Sequence, residues 1–81
     1  MTLEGKLRKV AVIAAVDISL KRIGRSPERC ARNLIELGTN AYPNALSKKE
    51  QVILYSTLLS ICEANNTQGA KEVFIKTFLA E

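Results

Sequence analysis

Apolar residues recur at the three-to-four spacing of a helix face in four segments of this chain. In the first, about residues 2–23, the positions Leu3, Leu7, Val10, Ala11, Ala14 and Ile18 form one stripe. The run Val10-Ala11-Val12-Ile13 also suits a buried strand, but Ala14-Ala15 and the charges at both flanks favour one long helix. Ser26-Pro27-Glu28 then reads as a helix start, with Ser as cap, Pro at the first helical position and Glu toward the positive end of the dipole. The second helix is expected over 27–37, burying Cys30, Ala31, Leu34 and Leu37, with Gly38 as its left-handed stop.

A loop follows, rich in turn residues (Asn40, Pro43, Asn44), and Ser47-Lys48-Lys49-Glu50 is a capping box for a third helix over about 48–64. Its main stripe is Gln51, Leu54, Tyr55, Leu58, Ile61 and Cys62. Asn65-Asn66-Thr67 separates it from a fourth helix, about 68–80, that buries Ala70, Val73, Phe74, Phe78 and Leu79. The pattern predicts an all-α chain: one four-helix bundle-like domain spanning 1–81, with a long first helix and an intertwined homodimer as one form it could take.

Two helices carry more apolar surface than a single core face needs. Beside its first stripe the opening helix has a second, Val12, Ile13, Val16, Leu20 and Ile23, and the third helix carries Val52, Ile53 and Leu59 away from its main stripe. Two arrangements accommodate this surplus. Either the first helix is central and wrapped by the other three, or these eight residues form a homodimer or partner interface. The second is the expectation. Asp17 lies between the two stripes and is expected to pair at the surface with Lys21, one turn on; its alternative role is a polar specifier of register in a helix interface.

Charge adds a weaker signal. The net charge is +4, yet residues 1–32 hold eight basic and three acidic side chains, a local balance of +5. Lys21, Arg22, Arg25, Arg29 and Arg32 cluster around the first interhelical turn, a pattern suited to phosphate and hence to a nucleic-acid partner. No aromatic residue interleaves with the cluster, and the second connection is too long for a helix-turn-helix.

The inventory excludes most site chemistry. With no histidine there is no imidazole base and no histidine-bearing metal site. The two cysteines, Cys30 and Cys62, have no metal-ligand spacing and read as two free buried thiols rather than a disulfide. The four glycines match no phosphate loop, and the eight acids are dispersed. No catalytic residue, cofactor, metal or small-molecule substrate is expected. The seven-residue run Val10–Val16 is too short to span a membrane and, with Asp17 ending it, poor as a signal core, so the expected compartment is the cytoplasm.

The functional expectation is a non-enzymatic regulatory protein working through helix-mediated protein–protein contacts, with a nucleic-acid-binding module as the alternative. In helix count and basic charge the chain also resembles small four-helix proteins such as the bacteriocin immunity proteins. That likeness implies an inhibitor-like role and carries over no individual residue.

Overall fold

The start and stop signals of a helix are local, and most of those in this chain act where they stand. A computed structural model of the protein describes residues 2–22 and 26–79. Four helices follow one another: α1 (Leu3–Arg22), α2 (Pro27–Ala41), α3 (Lys48–Glu63) and α4 (Thr67–Phe74), the last continuing as a π-helical turn, Ile75–Leu79. The chain is all-α, a four-helix arrangement. Ser26 caps α2 by accepting from the Arg29 amide. At the head of α3 both halves of the capping box are made: Ser47 Oγ accepts from the Glu50 amide at 3.2 Å, and Glu50 Oε1 accepts from the Ser47 amide at 3.0 Å.

The Ser47 amide, and to a lesser extent the Ser47 hydroxyl, hold the exposed Glu50 carboxyl below its ordinary pKa. A lowered folded-state pKa gives stability that is present above the unfolded value and is lost as pH falls through the folded one. Ser47→Ala removes the cap itself and should cost about 1 kcal/mol in urea melts at neutral pH. The difference between wild type and Glu50→Gln should shrink on acidification below the ordinary value of 4.5.

The α3–α4 corner is equally local. Asn65 takes the left-handed conformation (φ 56°), its amide donates to the Cys62 carbonyl at 2.9 Å, and the Asn66 amide donates to that of Ile61 at 3.1 Å. This is the paired closure of a Schellman motif. Asn66 then caps α4 by accepting from the Gly69 amide at 2.9 Å.

Packing departs from the local reading at Gly38. It ends nothing: α2 runs on to Ala41, and Gly38 is buried in mid-helix with no positive φ. The ring of Phe78 lies where a Cβ at this position would stand. Glycine is here because α4 leans onto α2 at this point, which no neighbouring residue could have signalled. The π-helical turn serves the same contact. Its i→i+5 spacing brings Leu79 onto the side of Phe74, so Ala70, Phe74, Phe78 and Leu79 all face the core.

The core is aliphatic around two aromatic rings. Val12, Val16 and Leu20 of α1 meet Cys30, Ala31 and Leu34 of α2, Leu54 and Leu58 of α3, and the buried face of α4. Phe74 and Phe78 stack tilted, centroids 5.0 Å apart. The molecule measures 36 × 27 × 17 Å. With helices packing about 8–10 Å apart, the thinnest direction holds two helical layers. No helix can be wrapped on all sides in a body so thin.

Candidate functional site

The two-layer build decides which face of α1 is left uncovered. Of the stripes predicted on this helix, the core takes the one expected to be an interface. Val12, Val16 and Leu20 are buried, and Ile13 is half-buried against the same cluster. Four of the five α1 residues assigned to an interface are therefore core or core-flanking, because α2 and α4 pack on that side. Ile23 lies outside the described residues. The stripe expected to be core faces outward instead: Leu3 is 74% exposed, Leu7 61%, Val10 63% and Ile18 53%, and Ala11 and Ala14 between them are exposed too. The arrangement with α1 central and wrapped is overturned by the same numbers. On α3, Val52 and Ile53 are exposed, whereas Leu59 is half-buried and packs on the core.

The outer stripe has a definite geometry. At about 100° per residue its six members fall in an arc of about 100°, and from Leu3 to Ile18 it runs about 22 Å along the axis. Buried residues on α1 begin only at Val12, so the first half of the helix has little tertiary support. It is tied down by Lys9, whose Nζ donates to the Leu79 carbonyl at 3.2 Å, a cation at the negative end of the last helical turn. Charges line both edges of the stripe. Glu4 and Arg8 pair one turn apart along one edge, at 3.6 Å. Lys6 and Asp17 lie along the other.

Asp17 does not pair with Lys21. Both its carboxylate oxygens accept from Lys71 Nζ, at 2.9 and 3.0 Å, which ties α1 to α4. The same-helix spacing favoured Lys21; the α1–α4 approach brings Lys71 closer. This ion pair is half-exposed, so its role is to set the angle of α4 more than to add stability.

The chain matches no family description, no characterised protein and no solved structure.

Among the remaining features, the basic cluster is described only in part. Lys21, Arg29 and Arg32 are exposed, Arg22 ends α1, and Arg25 lies outside the described residues. On α2 the two arginines share the outer face with the exposed Glu28 and Glu36, so the face is mixed in sign. Arg32 and Glu36 also border an open groove of about 460 Å³ between α2 and α3, floored by Ile35, Val52 and Tyr55.

Cys30 and Cys62 are free thiols that meet between α2 and α3. Burial, then a hydrogen bond and repulsion from Cys30, push the Cys62 thiol up to about 12. It is therefore protonated at neutral pH and a poor nucleophile. The cleft beside the pair, about 40 Å³, has room for little more than a water molecule or two. Among the described residues no group of three or more metal-ligating side chains comes together, and no helix is long and apolar enough to cross a membrane.

Proposed function

We propose that the protein acts as a non-enzymatic interaction module and that its contact surface is the outer face of α1. The observation that carries this reading is the unbroken stripe of Leu3, Leu7, Val10, Ala11, Ala14 and Ile18, exposed over four helical turns. Contiguous apolar surface of this kind is costly to leave in water and on soluble proteins usually marks a place where another molecule sits. An exposed valine or leucine alone would need no such explanation; six in register on one arc do. A helix presenting anchors at i, i+4, i+7 and i+11 matches the way amphipathic helices enter an apolar partner surface. The thiol pair and the mixed-sign face of α2 supply no comparable feature.

Site-specific photo-crosslinking in cells tests the reading. A photoreactive side chain at Leu7 or Val10 should yield a covalent protein adduct, of whatever identity, while the same group at Glu36 on the outer face of α2 should not. No adduct at the α1 positions, or equal adducts at Glu36, removes the proposal.

A further inference from the structure

The geometry points to a second copy of this chain as the occupant of the α1 face, docked antiparallel; this rests on the reading of that face as a contact surface. That face is self-complementary. The stripe is centred between Val10 and Ala11, so in an antiparallel pair residue i meets residue 21 − i of the other copy. Val10 then meets Ala11, Leu7 meets Ala14, and Leu3 meets Ile18. Each large side chain in the middle of the stripe faces an alanine, which lets two helices approach to the short end of the 8–10 Å range and pack without gaps. A parallel pair sets each residue against itself. Leu7 on Leu7 would hold the axes apart, and Ala11 on Ala11 and Ala14 on Ala14 would leave voids.

Charge agrees with the same orientation. About a two-fold axis, antiparallel helices bring like edges together, so the Lys6–Asp17 edge of one copy meets the Lys6–Asp17 edge of the other. Lys6 lies opposite position 15, within about 3 Å along the axis of the partner copy's position 17. The two crossed Lys–Asp contacts this permits are equivalent by symmetry. Asp17 is half-exposed and, although bonded to Lys71, keeps lone pairs for a second cation. Along the opposite edge Glu4 falls between Ala15 and Ser19 of the second copy, and Arg8 between its Ala11 and Ala15, so no two charges stand directly opposite one another. A parallel pair instead places Lys6 beside both Arg8 and Glu4, with no net gain. A C2 contact of this type is the commonest closed symmetry among homo-oligomers. The stripe is short, so the contact belongs with small, reversible interfaces.

Sedimentation equilibrium combined with disulfide trapping tests the proposal. The purified chain should shift reversibly from one-chain to two-chain mass as concentration rises. Lys6→Glu should weaken the dimer about 2- to 30-fold through loss of two surface ion pairs. Val10→Glu should abolish it at unchanged helicity. For orientation, Cys30→Ala/Cys62→Ala chains carrying either Leu7→Cys or Ala14→Cys are mixed under glutathione redox buffer. Crossed 7–14 disulfides should dominate. Dominant 7–7 and 14–14 products overturn the antiparallel arrangement. A chain that stays monomeric up to about 1 mM overturns self-pairing altogether. If photo-crosslinks at Leu7 then reach only a different protein, the contact face stands and its occupant is not a second copy.

Discussion

Phe74→Ala should leave the protein largely unfolded at ambient temperature, or lower its melting point by roughly 12–40 °C. Phe74 is fully buried and is the largest side chain so placed. Its removal takes away the ring that stacks on Phe78 and opens a cavity bounded by three helices that cannot all close onto it. Truncations of this kind cost about 3–5 kcal/mol. A domain of this length has in total about 4–12 kcal/mol of stability to lose. Circular dichroism across a thermal ramp reads the effect directly. A melting point within a few degrees of wild type would mean that α4 and its π-helical end are not packed as described.

Gly38→Ala is the second, and its sign is the informative part. At an exposed position within a helix this substitution gains about 1 kcal/mol, because alanine is the better helix former. Here the added methyl would overlap the Phe78 ring, which is itself buried and cannot swing aside. Overpacking costs about 1–3 kcal/mol, and an overlap this deep belongs at the upper end. The net expectation is a loss of about 2 kcal/mol. The clash has one identified partner, so Phe78→Leu in the same chain should recover part of it, and the double variant should be less destabilised than the two single effects added. Urea melts of the four proteins close the cycle. Stabilisation by Gly38→Ala alone would place Gly38 at a surface position within the helix, clear of Phe78.

Gly38 also shows where the sequence stops being informative. A glycine after a run of apolar residues signals a helix end, and that signal is read from the neighbours. The residue that decides the matter is Phe78, forty positions away. Ser26-Pro27, Ser47 to Glu50 and Asn65-Asn66 were legible because a cap is satisfied within three or four residues, whatever the rest of the chain does. The four helices, and most of the core on α2, α3 and α4, could be read for the same local reason.

The faces of α1 could not. Both stripes on that helix are aliphatic and evenly spaced, so hydrophobicity alone gives no ground for choosing between them. The choice is made by where α2 and α4 lie, and they cover Val12, Val16 and Leu20. That the helix carries surplus apolar surface was legible; which residues carry it was not. Asp17 follows the same pattern. Sequence offers Lys21 on its own helix, and the fold supplies Lys71 from another.

The outer face of α1 thus follows from arithmetic of layers: two layers of helix leave one side of each helix to the outside, and on α1 that side is apolar. Sedimentation equilibrium of the wild-type chain beside Val10→Glu, over a range of concentrations, tests most directly whether a second copy of the chain covers that side. The wild type is predicted to approach twice the mass of one chain as concentration rises, and the variant to remain at one. A wild-type chain that keeps the mass of a single chain throughout, indistinguishable from the variant, would contradict it.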